Sequence, residues 1–142
     1  MPRPWFLLNH LFRGHVLAYR LTRGVIGSRV PGGPPMLLLD HVGARSLKQR
    51  TTPLVYVRDG RSLVIVASKG GHHRHPAWFH NLKAHPDTDV QIGSKQIPVT
   101  ADVATSQERE RLWPRVVATY GGYEGYQRRT TREIPLVVLE PR

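Results

Sequence analysis

GARSLKQRTTPLVY, from Gly43 to Tyr56, and ASKGGHHRHPAWFHNLKAHP, from Ala67 to Pro86, decide the reading of this chain. The first is a basic turn that enters a strand. The second is a strand that opens into a Lys-Gly-Gly loop and then a helix. Pro76 stands where a helix can begin, and Pro86 stops it. Between the two blocks, Asp59-Gly60-Arg61 predicts a hairpin connection. Ser62–Ser68 (SLVIVAS) is apolar on both faces, so it belongs inside a sheet covered on both sides. Two basic loops so placed could converge on one elongated anion.

Working outward, Met36–Val42 is an apolar strand and Thr51–Arg58 a second one. Asp89–Ile92 and Gln96–Val103 form a hairpin about Gly93-Ser94. Pro98 lacks an N–H, which predicts an edge strand or a bulge. Thr105-Ser106-Gln107-Glu108 is a capping box, and the helix it opens should bury Leu112, Val116 and Tyr120. Gly121, Gly122 and Gly125 interrupt that helix before a short segment to Thr130. Ile134–Leu139 is a last apolar strand. Upstream, Trp5, Leu8, Phe12, Val16 and Tyr19 recur at helical spacing over residues 4–22, and residues 31–35 (PGGPP) read as a linker. Six short strands without a βαβ rhythm predict a mainly β protein of the α+β class, built on a small barrel. An N-terminal helix, a helix after the Lys-Gly-Gly loop and a C-terminal helical segment accompany it. Residues 1–33 form a basic arm, and residues 34–142 the barrel domain.

The 142 residues suit one domain. There is no cysteine, so disulfides and thiolate chemistry are excluded. Lys and Arg total 21 against 10 acids, a formal charge of +11. Such an excess is the footprint of phosphate contacts, and it fits nucleic acid, an anionic cofactor or a membrane surface. No nucleic-acid motif is present, which speaks against the first. Residues 1–50 hold eight basic residues and one acid, Asp40. The arm can therefore pack on the barrel or lie on an anionic membrane. No apolar stretch approaches the ~20 residues of a membrane span, and the N-terminal apolar run is broken too early for a signal peptide.

Arg45, Lys48 and Arg50, with the Ser46 hydroxyl, make a compact anion site, or else a solvated basic turn. Ser68-Lys69-Gly70-Gly71 lets the backbone approach a phosphate, or else is a plain turn. It is not a Walker A motif, because the spacing is wrong. Trp78 and Leu82 share a helical face, and Asn81 lies one turn from Trp78. His72, His73, His75, His80 and His85 invite a metal reading. Arg74 sits inside that cluster and carboxylates are missing nearby, so solvated loop histidines explain them better. Tyr120, Tyr123 and Tyr126 recur every three residues, as a buried aromatic stripe or as phenols that can donate a proton.

Together these blocks resemble the actinobacterial deazaflavin-dependent nitroreductase family, over roughly Met36 to Pro141. Members carry a Gly, a basic residue, a Ser or Thr, a Gly and an Arg in the turn. Gly43, Arg45, Ser46 and Arg50 match, and Leu47 replaces the second glycine. The resemblance implies a split β-barrel of the FMN-binding type and a hydride-transferring oxidoreductase using coenzyme F420, which has a phosphate and a polyglutamate tail. It implies cofactor contacts from Arg45, Ser46, Lys48 and Arg50, with Thr52 and Pro53 behind them. It gives Ser68, Lys69, Gly70 and Gly71 to the phosphate, and Pro76, Ala77, Trp78 and Asn81 to the wall of the ring. Tyr120, Tyr123, Tyr126 and Ser68 fall on the substrate side, facing a quinone, a nitro compound or an activated alkene. Phe79 and Val55 stand where tyrosines are common. FMN in place of F420, a non-catalytic carrier and a nucleic-acid binder are the alternatives. The expected setting is cytoplasmic, with possible peripheral contact with the inner face of the plasma membrane, as a monomer or homodimer, without metal.

Overall fold

The computed structural model describes Val16, Leu17, Tyr19, Arg20 and residues 34–142. Seven strands form a single antiparallel sheet: β1 (Met36–Val42), β2 (Gln49–Val55), β3 (Val57–Asp59), β4 (Ser62–Val66), β5 (Asp87–Ile92), β6 (Lys95–Val103) and β7 (Leu136–Pro141). Within residues 34–142, three α-helices accompany it: α1 (Ala77–Ala84), α2 (Ser106–Thr119) and α3 (Gly122–Arg128). Most of the N-terminal amphipathic face, including Trp5, Leu8 and Phe12, lies outside the described residues.

The strand order is β2-β1-β5-β6-β7-β4-β3. The end strands β2 and β3 are separated in the chain only by Tyr56, so chain continuity brings the two ends of the curled sheet together. This explains seven strands where the pattern predicts about six. The run Thr51–Arg58 has unbroken strand character, but its first part pairs with β1 and its last part with β4. Tyr56, at the break, is buried in the barrel core.

Alternation explains which side chains fill which layer. In β7, Val137 and Leu139 enter the barrel while Leu136 and Val138 face α2 and α3. In β4, Leu63 and Ile65 point inward while Val64 and Val66 point outward. The sequence reading of an interior strand with two apolar faces is therefore realised. Each fully buried aliphatic side chain adds roughly 1.5–3 kcal/mol. Trp78, Phe79 and Leu82 of α1 plug the barrel.

Two details depart from the pattern. Pro98 does not lie on an edge strand, because β6 sits between β5 and β7. The β6–β7 ladder covers only Val99 to Val103, so Pro98 falls outside the doubly paired stretch and its missing donor is tolerated there. Tyr120 ends α2 more than one-third exposed, whereas Leu112 and Val116 are buried as expected. The capping box forms fully: Glu108 N–H donates to Thr105 Oγ1 at 3.2 Å, and Thr105 N–H donates to Glu108 Oε1 at 3.0 Å. On the outer face, Arg111 and Arg115 clamp α2 to the β3–β4 hairpin through Asp59, and Arg111's hydrogen bonds hold that carboxyl below its usual range.

Candidate active site

The basic turn is a tightly closed loop. Leu47 N–H donates to Gly43 carbonyl at 3.0 Å, Gly43 N–H to Lys48 carbonyl at 2.9 Å, and Lys48 N–H to Ser46 Oγ at 3.2 Å. Leu47 has φ +58°, so the left-handed position favoured by glycine persists here with a leucine in it. The cost for a non-glycine residue is about 1–2 kcal/mol. The Leu47 side chain is two-thirds exposed, so no packing offsets that cost. Ser46 Oγ fills the space a Cβ on Gly43 would need, which explains that glycine.

What holds this turn is a buried polar chain. Ala44 N–H donates to Asn81 Oδ1 at 2.9 Å. The Asn81 amide is thereby oriented, and its Nδ2 donates to His41 Nδ1 at 2.9 Å. His41 must then keep its proton on Nε2, which donates to Thr52 Oγ1 at 2.9 Å. Burial and then the positive field of Arg50 push the His41 pKa down to about 4, so the ring is neutral. Thus α1, β1, β2 and the turn are tied through side chains from distant parts of the chain. His41 is absent from the sequence-based candidates. The signal available was one histidine inside the apolar run Met36–Val42, two residues before Gly43.

These elements border a groove of about 1270 Å³. Arg45 and Arg50 line it, with Arg20 from the N-terminal segment, and so do Ser46, Thr52, Ala77, Trp78 and Asn81. No Asp or Glu is among its described lining residues. Tyr19, beside the groove-lining Arg20 in the chain, is fully buried. Its hydroxyl accepts from Gly93 N–H at 2.9 Å and donates towards the Gln91 carbonyl at 3.1 Å. Arg20 pairs with Asp40 at 2.7 Å. Of the other sequence-predicted residues, Lys48 is exposed on the turn outside the groove lining, and Pro53 and Pro76 are buried.

Ser68, Lys69, Gly70 and Gly71 do not line the groove. They lie beyond β4, against α3. Lys69, Gly70 and Gly71 have φ of +45°, +63° and +82°, three left-handed residues in succession. Gly71 abuts the backbone of Tyr126: a Cβ there would stand 2.6 Å from its carbonyl oxygen. This contact joins the loop to the tyrosines. The Tyr120 and Tyr126 hydroxyls are 3.0 Å apart. Tyr123 packs among Val64, Leu112 and Ile134, and burial raises its pKa. The Tyr126 pKa is raised first by its bond to Tyr120. Tyr123 and Tyr126 therefore keep their protons at neutral pH. The aromatic stripe is buried at Tyr123 and exposed at Tyr120. Among the described residues, no group of three or more His, Asp or Glu side chains stands close enough to share a metal.

The model of one protein family, the F420H(2)-dependent quinone reductases, matches residues 11–141. The chain belongs to this family. A curated F420H(2)-dependent quinone reductase of Mycobacterium tuberculosis (strain H37Rv) is 48% identical over 135 residues, which cover 93% of this chain and 91% of the relative. A solved F420-H2 dependent reductase is 41% identical with TM-score 0.69, covering 75% of this chain and 94% of its own. A further solved structure, described as a domain-swapped dimer, is 35% identical with TM-score 0.72, covering 97% and 100%. The family agrees with the deazaflavin resemblance read from the two basic blocks, and the seven strands form the half-barrel expected of it. The groove fits the family's cofactor chemically: the donors are arginines and hydroxyls, and the described lining residues include no carboxylate to repel a polyanion.

Proposed function

We propose that this chain binds reduced coenzyme F420 along the Arg45–Arg50 groove and passes its hydride to a quinone. The observation that carries the reading is the carboxylate-free, arginine-lined groove, whose basic turn is locked to α1 through Asn81. Arg45, Ser46 and Arg50 hold the anionic part, assisted by Lys48 at the rim. Trp78 and Ala77 wall the ring plane, and the buried chain through His41 keeps that wall and the turn in register. Lys69 and the Gly70–Gly71 backbone, outside the groove lining, offer a second contact for the cofactor's phosphate. When bound, the reduced deazaflavin supplies a hydride at C5. The chain's part is to orient the acceptor and to hold a proton near the oxygen that becomes negative. Tyr126 and Tyr120 suit this role, because their hydroxyls are hydrogen-bonded to each other and Tyr120 reaches solvent.

Titration with F420 and with FMN, followed by menadione-dependent oxidation of reduced F420, tests the reading. Tighter binding of FMN, or no turnover with a broad acceptor panel, would overturn it. Within the tyrosine group, Tyr126→Phe is expected to lower kcat by about 10-fold or more with little change in cofactor Kd, as for the loss of a general acid. Tyr123→Phe should act mainly through packing, because its ring sits in the core. A larger kcat loss for Tyr123→Phe would reverse these roles.

The same reading treats residues 1–33 as a basic arm on the barrel domain of residues 34–142. Tyr19 docks the arm, while Leu17 stays largely exposed at the groove. Its five arginines suit an anionic bilayer, with about 1 kcal/mol from each Arg near the surface. Among the described residues no helix is long and apolar enough to cross a membrane. Sedimentation with anionic vesicles at low salt should pellet the full chain and release it at high salt. Full-length protein that stays in the supernatant at low salt would make the arm purely structural.

A further inference from the structure

The Lys69–Gly71 segment needs something to hold it, because Lys69, a non-glycine residue at φ +45°, persists in the left-handed region only where its surroundings over-determine it. One side is α3, whose Tyr126 backbone presses on Gly71. The other side is Arg132, a half-buried residue between α3 and β7. Its Nε donates to the His72 carbonyl at 2.9 Å, and its Nη2 to the Ser68 carbonyl at 2.8 Å. Its Nη1 donates to the Ala67 carbonyl at 3.2 Å and meets His75 Nδ1 at 3.0 Å. These four acceptors bracket the three left-handed residues on both sides. They radiate around one planar group, an arrangement that a guanidinium can serve and an ammonium cannot. None of the four is a carboxylate, so this arginine is held by neutral acceptors and serves as a brace.

We propose that Arg132 is a positioning residue that holds the Lys69–Gly71 loop in its left-handed form for an anionic ligand, and that its bond to His75 makes the hold pH-dependent. His75 accepts from Arg132 only while Nδ1 carries a lone pair. The charged or titratable groups facing His75 are Arg132 from the C-terminal segment, with His80 and Lys83 from α1. All are cationic or become so, and the Phe79 ring covers another side. Protonating His75 sets two cations together and opens the brace. Burial and these cations lower the His75 pKa, so the brace is closed at neutral pH and loosens on acidification. The identity of the anion rests on the F420 reading; the brace itself does not.

Amide exchange in the ligand-free protein tests the brace independently of any cofactor. The Gly71 and His72 amides, bonded to the Ser68 and Lys69 carbonyls at 2.9 and 3.1 Å, report on loop opening. After correction for intrinsic rates, both should exchange at least about tenfold faster in Arg132→Gln and in Arg132→Lys, as for the loss of one charged hydrogen bond. Amides of β1 should be unchanged. In the wild type the same amides should open more readily at pH 5 than at pH 7.5. His75→Asn, which keeps an acceptor and cannot titrate, should abolish that dependence. Unchanged loop exchange in folded Arg132 variants overturns the proposal, as does an identical pH dependence in His75→Asn. The latter comparison decides alone if the Arg132 variants do not fold. F420 affinity should fall about tenfold in Arg132→Gln. Normal exchange effects in a wild-type protein that does not bind F420 would refute the cofactor reading and leave the brace standing.

Discussion

Replacing Arg50 by Glu is expected to weaken F420 binding by roughly 1.5–3 kcal/mol, about 10- to 150-fold in Kd. Arg50 lines a groove with no carboxylate of its own. Reversal removes a charge-assisted donor and places a negative charge where the ligand is negative. Arg50 is exposed on β2 opposite His41, so its head group is not part of the buried core. Lys69→Glu provides the informative comparison, because Lys69 lies outside that groove lining. A similar loss there would mean that one extended ligand spans both basic loops. A loss confined to Arg50 would confine the anion to the groove. Calorimetry at two salt concentrations measures both, and the Arg50 effect should shrink at high salt. An unchanged Kd in Arg50→Glu would remove the groove as the binding site.

Acid is expected to destabilise the fold through His41, by about 3 kcal/mol between pH 7.5 and pH 4. The sign follows from the buried chain. Asn81 donates to Nδ1, so a proton added there has no acceptor, and burial and Arg50 oppose the charge. The folded-state pKa of about 4 lies below the ordinary value of 6.5. Below pH 6.5 the unfolded chain takes up a proton that the folded one refuses. The contribution is therefore complete above pH 6.5 and is lost as the pH falls towards 4. Urea unfolding of the wild type and of His41→Gln should show it, since Gln retains a donor and an acceptor but does not titrate. The variant should lack this part of the slope and retain what the carboxylates contribute. Identical slopes would show that His41 is not held neutral. Because the same histidine fastens the basic turn to α1, cofactor affinity should fall together with stability in acid.

Much of the barrel was legible because its signals are local. β4 and β7 alternate between two buried layers, which leaves a continuous apolar run. Thr105 and Glu108 cap their own helix, three residues apart. Leu47 at the left-handed position was recognisable as a departure because a turn's backbone demand is set within a few residues. The two basic blocks and the Trp78–Asn81 helix identified the family for the same reason.

The tertiary structure alone decided which residues meet across long separations. Nothing local shows that Asn81, placed on the cofactor wall by resemblance, also grips the backbone of Ala44 and the ring of His41. Nothing in TTREIP marks Arg132 as the brace of a loop some sixty residues earlier. The burial of Tyr123 beside an exposed Tyr120 also escaped the three-residue repeat, since α3 turns the stripe away from α2. The division into β2 and β3 at Tyr56 depended on where the sheet's two ends came to lie. Propensity and alternation record the energy of a residue against its chain neighbours and one buried face. A hydrogen bond between residues 40 or 60 apart leaves no period in the sequence, because its geometry exists only once the sheet has curled and the helices have packed.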